Sequence, residues 1–402
     1  MQKIGFVTPW FGMDIPGGAE AELRELVLHL KETDLEFEVL TTCVKSFNSN
    51  WSENYHKEGV NVENGITIRR FKVNERDGGA FDSVNWKLMQ NMPITQEEEQ
   101  IFIREMVNSS RLYQYMCEND DMYGLFVFIP YMFGTTYYGV QVNPKKAVLI
   151  PCFHDESYFY MSIFKEQYAT VRGIIYNAKP EKKLVEKNYN LQNVNQIVMG
   201  IGMDTDIHGD AKHFRQKYKI EEPFLIYAGR KDSGKNVDLL LKYFSQYHKR
   251  HSSDLALVLI GGGKIDIPLD ILDKVYDLGF VDKQDKYDAY AAAKLLCQPS
   301  HNESFSLVIM ESWLCGRPVL VNNQCAVTKN FVIESNGGLY FNDYFEFEGT
   351  VDYILSHKDI AIEMGNNGKK YVEDNFSWDK IIEKYIRFFQ SIEDKKWCSS
   401  DI

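Results

Sequence analysis

Apolar and polar positions along this chain fall into alternating blocks. "KIGFVTPW" reads as a strand and "GAEAELRELVLHLKE" as an amphipathic helix. "FEVLTTC", "GLFVFIP", "KAVLIPCFH", "GIIYNA" and "NQIVMGIG" continue the strand series. The alternation then restarts with "FLIYAG", the helical "NVDLLLKYFSQYHK", "LALVLIGGG", "VYDLGFV", "KLLCQPS" and "PVLVNN". Short apolar runs interleaved with helices predict parallel sheets covered on both faces. Two such series predict an α/β chain of two Rossmann-like domains whose sheets face an interdomain cleft.

The break in strand periodicity near "GIGMDTDIHGDAKHF" divides the chain into residues 1–203 and 204–377. Residues 45–115 fit the alternation least. They are rich in Asn, Glu and aromatics, carry a helical pattern in "TQEEEQIFIREMVNSSRLYQYMCE", and read as an insertion in the first domain. The uncharged run from Met122 to Pro144 is long enough to span a bilayer. Gly124, Pro130 and Gly134 interrupt it, so it reads as a buried strand, a loop and a helix.

At 402 residues the chain exceeds one ordinary core. Its 44% apolar and 25% charged residues are those of a globular protein. A formal net charge of −12 argues against nucleic-acid partners, whose phosphates need Lys and Arg. Seven cysteines with no C-x-x-C pair read as thiols in a reducing compartment. "MQKIGFVTPWFG" lacks the apolar run of a signal peptide.

Candidate chemistry begins at "FLIYAGRKDSGKNVDLLLKYF". Gly229-x-x-x-x-Gly234-Lys235 nearly makes a P-loop, but Asn236 stands where a hydroxyl must hold magnesium. "LALVLIGGG" also ends in glycines instead of the supporting Asp. What remains is Arg230 and Lys235 on a turn at a strand's C-terminal end, before a helix. That suits a diphosphate, though a solvated turn with two surface cations has the same sequence. Further on, "QPSHNESFSLVIMESWLCGRPVLVNN" places Glu303 in a loop and Glu311 in an apolar helix. A carboxylate among apolar residues is costly unless something pairs with it.

"YAGRKDSGKNVDLLL", "LVLIGGGK", "LGFV", "PSHNESFSLVIMESWLCGRPVL" and "NFSWDKIIEKYI", with "PGGAEAEL", "PCFHDESY" and "VMGIGMD" before them, together resemble the retaining, GT-B-fold glycosyltransferases of family 4. The resemblance covers nearly the whole chain apart from about 45–115. It implies that Arg230 and Lys235 grip the donor diphosphate and neutralise its charge as the glycosidic bond breaks. Glu311 would accept the ribose hydroxyls and Glu303 the hydroxyls of the transferred sugar. Backbone amides of Phe305, Ser306 and Leu307 would complete the cradle, although the family usually has Gly where Ser306 stands. Phe280 and Val281 would pack on the base, and Gly17 and Gly18 would close over the phosphates. His154 would act near the anomeric carbon or the sugar hydroxyls, with Asp155 orienting a neighbour.

The resemblance further implies front-face attack, in which a leaving-phosphate oxygen takes the acceptor's proton. It calls for no metal and no cofactor beyond the nucleotide diphosphate sugar as co-substrate. "DTD" at 204–206 resembles a metal-binding D-x-D but follows the linker strand. A helix at about 378–395 would return to the first domain. The implied acceptor is a glycan or lipid-linked glycan. The implied location is cytoplasmic, with peripheral membrane contact through a basic face such as Lys179, Lys182, Lys183 and Lys187. Three other readings are a P-loop-like nucleotide hydrolase, a catalytically silent sugar-binding protein on the same fold, and a sugar-nucleotide epimerase.

Overall fold

The computed structural model describes residues 2–394. The chain divides into two compact units, Met1–Gly202 joined by the segment from Asp379, and Met203–Trp378. Each unit is built around its own sheet.

The first unit carries β1 (Lys3–Thr8), β2 (Phe37–Thr42), β3 (Gly59–Glu63), β4 (Ile66–Phe71), β5 (Tyr123–Phe128), β6 (Ala147–Leu149), β7 (Gly173–Tyr176) and β8 (Asn195–Val198). Their order across the sheet is β3-β4-β2-β1-β5-β6-β7-β8. All neighbours are parallel except the β3–β4 hairpin. β1 and β5 are buried on both faces, which is why they read as unbroken apolar runs.

The stretch 45–115 is woven into this sheet instead of being appended to it. It supplies β3 and β4, and its Phe81, Val84, Phe102, Ile103 and Leu112 belong to the unit's main core. Alternation in "ITIRRF" is the signal: Ile66, Ile68 and Arg70 are buried on one side. The helical pattern predicted as one element is two helices, Gln96–Glu105 and Ser110–Glu118. Ser109 interrupts it by capping the second helix, its Oγ accepting from Leu112 N at 3.3 Å. The uncharged run resolves into β5 and the helix Gly134–Val142. No helix among the described residues is long and apolar enough to cross a membrane.

The second unit carries β9 (Phe224–Ala228), β10 (Ala256–Ile260), β11 (Val275–Gly279), β12 (Leu295–Gln298), β13 (Val319–Asn322) and β14 (Gly338–Phe341). All are parallel, in the order β11-β10-β9-β12-β13-β14. The chain runs outward from β9 in one direction, then reverses at β12. The C-terminal ends of β9 and β12 therefore flank a switch point, where open α/β sheets bind ligands.

The helix Trp378–Asp394 belongs to the first unit from Asp379 on. The Arg172 side chain, next to β7, donates through Nε to the Ile392 carbonyl at 3.0 Å. Tyr385, on the same helix, is buried.

Candidate active site

In the second unit, β9 leads into Gly229, whose φ of 149° only glycine adopts without strain. The chain there must also clear the next strand exit: a Cβ on Gly261 would lie 2.1 Å from the Gly229 carbonyl oxygen. The turn that follows carries Arg230 and Lys235. Arg230 lies toward solvent, with Nε 3.3 Å from Asp232. Lys235 points back across the switch point and places Nζ 2.7 Å from Glu303 Oε1. Asn236, the residue that spoils the P-loop, has a left-handed backbone at the start of the helix Val237–Arg250. Its side chain donates to the Pro299 carbonyl at 3.1 Å, tying this turn to the exit of β12.

Glu303 also accepts from Gln298 Nε2 at 3.0 Å. Burial alone would push its carboxyl up. Lys235, helped by hydrogen bonds from Ser300 and Gln298, outweighs burial and holds it below the usual carboxylate range. Glu303 is therefore an ionised acceptor fixed at the mouth of the sheet.

Glu311 lies in the helix Leu307–Leu314 and is only 8% exposed. Lys286 Nζ meets its Oε1 at 2.6 Å, and the Tyr290 hydroxyl donates to Oε2 at 3.1 Å. Both partners sit one turn apart on the helix Lys283–Ala292. The apolar context of Glu311 signalled that a partner was needed. Nothing in its own stretch identified Lys286 or Tyr290.

Ser306 precedes that helix with φ 75°, and its buried Oγ has no hydrogen-bond partner among the described residues. A glycine would sit there without strain. The Phe305 side chain packs among Phe331 and Phe376, so only its main chain faces the predicted cradle. The amides of Ser306 and Leu307 open the helix. Phe280 is 75% exposed, and its ring lies over Gly262, where a Cβ would meet Cε2 at 2.5 Å. Val281 is half-buried beside it. Sequence reasoning missed Lys231, which is buried and ion-paired to Asp277. Asp277 accepts from Gly279 N at 3.1 Å and so fixes the turn that presents Phe280. Asp204 faces Lys283 at 3.5 Å and Asp206 faces His208 at 2.9 Å.

In the first unit, Gly17 caps the helix Gly18–Leu30 with φ 143°. The space a Cβ would take is filled by Glu20, whose Oε2 would lie 1.9 Å away. Glu20 is in turn held by Trp10 Nε1 at 2.7 Å. What requires glycine at 17 is its backbone conformation and the neighbouring Glu20 side chain. Gly18 has open space at its Cβ position.

His154 follows β6, with Nδ1 3.6 Å from Glu156 Oε1. Asp155 accepts from the Tyr160 hydroxyl at 2.7 Å. Behind the His154 loop lies a buried group absent from the sequence reading. Glu181 Oε1 accepts from Phe153 N at 2.7 Å, and its Oε2 accepts from Asn177 N at 2.7 Å. Asn177 Nδ2 donates to Glu22 Oε2 at 2.8 Å, and Cys152 Sγ lies 3.6 Å from the same oxygen. Burial raises both carboxyls to about 8, against the lowering effect of these hydrogen bonds. Neither is ion-paired to a lysine or arginine among the described residues.

Residues 210–371 match the family model described as "Glycosyl transferases group 1". A D-inositol 3-phosphate glycosyltransferase of Gordonia bronchialis is 26% identical over 220 residues, 49% of this chain and 48% of that protein. An uncharacterized glycosyltransferase of Methanocaldococcus jannaschii is 27% identical over 188 residues, 44% of this chain and 48% of that one. The chain thus spans about half the length of the curated relatives it matches. Sucrose-phosphate synthase from Thermosynechococcus elongatus superimposes with TM-score 0.71 at 15% identity, covering 98% of this chain and 99% of that one. Anabaena HepE, solved with UDP and glucose, gives 0.67 at 15% identity over 97% and 100%. The chain has the GT-B fold, and its second unit carries the sequence pattern of the group 1 glycosyltransferases.

Proposed function

We propose that the protein is a retaining glycosyltransferase that moves a hexose-type sugar from a nucleotide diphosphate sugar to a hydroxyl of a glycan or lipid-linked glycan. The observation that carries this reading is the contact between Lys235 and Glu303, 2.7 Å apart across the β9 and β12 exits, within the stretch that matches the group 1 model. A P-loop hydrolase would need a magnesium-binding hydroxyl at 236. Asn236 instead braces the Pro299 carbonyl.

In this reading Arg230 and Lys235 stabilise charge on the leaving diphosphate, and Glu303 accepts sugar hydroxyls. Glu311 accepts the ribose hydroxyls, and the exposed Phe280, beside Val281, stacks on the base. Amides of Phe305, Ser306 and Leu307 meet the phosphate at the helix N-terminus, and the loop of Gly17 and Gly18 closes on it through Gly18, whose Cβ position is open. His154 acts at the transferred sugar. Front-face attack fits this set, because a departing phosphate oxygen supplies the base and no carboxylate nucleophile is required. The reaction needs neither metal nor further cofactor in this scheme. Three of the solved neighbours' names support the donor class: HepE was solved with UDP, with UDP and glucose, and with UDP-glucose.

The test is a thermal-shift screen with UDP, GDP, dTDP and ATP, with and without magnesium, on the wild type and on Glu311→Gln. Metal-independent stabilisation by one diphosphate, weakened in the variant, is the expected result. Stabilisation by ATP only with magnesium, unchanged in the variant, would overturn the reading.

A further inference from the structure

The exits of β6 and β7 and the helix Gly18–Leu30 converge on one buried polar knot. Glu22, Asn177 and Glu181 are each no more than 3% exposed. Glu181 uses both carboxylate oxygens on main-chain donors, one from Phe153 and one from Asn177. These are the residues immediately before His154 and immediately after β7. Glu22 then ties Asn177 and Cys152 to the helix that follows Gly17.

The arrangement is strained and incompletely satisfied. Cys152 has φ 55°, and Glu22 Oε1 and Asn177 Oδ1 have no partner among the described residues. Such unfavourable features persist where the surroundings over-determine them, and they concentrate at functional sites. A fold that needed only to fill this space would place apolar side chains there. What the acidic side chain adds is direction. One N–H···O contact at 2.7 Å holds the main chain at Phe153, the residue before His154, and the other, also 2.7 Å, ties the same carboxyl to Asn177 at the exit of β7.

We propose that Glu181 is the positioning residue of His154, with Glu22 bracing it through Asn177. This rests on the assignment of His154 to the reacting sugar. Glu181 does not touch substrate. It acts by setting the main chain at Phe153, and hence where the imidazole stands. Glutamine is not a conservative replacement here, since an amide has one acceptor oxygen and the position requires two. A displacement of His154 by about 1 Å is enough to slow the chemical step about a hundred-fold.

The test uses the full chain. His154→Ala, Glu181→Gln and the double variant are compared for release of nucleoside diphosphate from UDP-glucose, GDP-mannose or dTDP-glucose, the donor being chosen by the base that stabilises the wild type. In parallel, imidazole 13Cε1 resonances are recorded on histidine-labelled protein, with His154 assigned by its loss in His154→Ala. The proposal expects Glu181→Gln to lower kcat about a hundred-fold with donor KM within about two-fold. It expects the double variant to be no slower than His154→Ala, and the His154 resonance to move. Retained diphosphate-induced thermal stabilisation shows that the variant is folded.

Wild-type kcat in Glu181→Gln, multiplicative losses in the double variant, or an unmoved resonance each overturn the proposal. Wild-type kcat in His154→Ala instead removes the premise and counts against the His154 assignment. Should Glu181→Gln fail to fold, Glu22→Gln carries the same test through its bond to Asn177. A smaller kcat loss, again not additive with His154→Ala, supports the bracing, and an additive loss overturns it.

Discussion

The first unit buries Glu22 and Glu181 without a basic partner among the described residues, whereas the second buries Glu303 and Glu311 against Lys235 and Lys286. All four lie near strand exits or on the helices that follow them. Burial raises the carboxyls of Glu22 and Glu181 to about 8. A lysine at 2.7 Å, together with hydrogen bonds from Ser300 and Gln298, reverses that outcome for Glu303. The two sets teach that what a buried acid does depends on its partner. Paired with Lys235, Glu303 is held as an acceptor fit for hydroxyls; without such a partner, Glu22 and Glu181 are pushed up and serve as hydrogen-bonding clamps.

The contrast is broken most severely by removing the cation from the charged set. Lys235→Ala takes away a diphosphate contact and leaves Glu303 buried and unpaired. Turnover is expected to fall about 10²–10³-fold, with stability lower by about 3 kcal/mol. Steady-state kinetics and urea unfolding check the two parts, and wild-type turnover would sink the diphosphate role. Next in size is Glu311→Gln. Losing a charged acceptor is expected to weaken diphosphate binding by about 2 kcal/mol, roughly thirty-fold, read by calorimetric titration.

The raised set is sharpened by pH. A carboxyl whose folded value lies above its unfolded one stabilises the fold below the unfolded value. That contribution is lost as pH rises from about 4.5 to about 8. Each such carboxyl gives at most about 1.4 kcal/mol per pH unit. Glu303 has the opposite sign: its contribution is present above its unfolded value and disappears as pH falls through its lowered one. Glu22→Gln should therefore flatten the decline in stability between pH 6 and 8 and leave the acid limb unchanged. Urea midpoints across that range decide it, and an unaltered slope would mean Glu22 is ionised throughout. The smallest effect is expected at Ser306. Glycine there relieves a left-handed backbone and should add up to about 1 kcal/mol.

The same contrast explains what could be read from the sequence. Glu303, Glu311, Arg230 and Lys235 stand in stretches whose order carries the family resemblance. Glu311 also advertised its need for a partner by its apolar setting. Lys286 did not, because a lysine in "DKQDKYDAY" looks like any solvated charge. Glu22 in "AELREL" and Glu181 in "PEKKL" look equally solvated. They are inside because partners distant in sequence, Phe153 for Glu181 and Asn177 for Glu22, arrive at the same strand ends. Strand alternation was legible where runs were long. It was obscured at 45–115, where a hairpin strand exposed at Val60 and Val62 lies beside β4. That Gly17 has a positive φ and that Glu20 fills its Cβ position required coordinates.

The helix Trp378–Asp394 has one more consequence, for how the chain is made. It belongs to the unit that the ribosome delivers first, yet it is the last of the described helices to emerge. Until it arrives, Arg172 lacks the Ile392 carbonyl, and the place of Tyr385 in the core is unfilled. The first unit is therefore born open on one side, while the second, contiguous in sequence, can close as soon as it leaves the exit tunnel. Assembly order is thus the reverse of synthesis order, and a nascent chain stalled before residue 378 should hold a protease-resistant second unit beside an unfinished first.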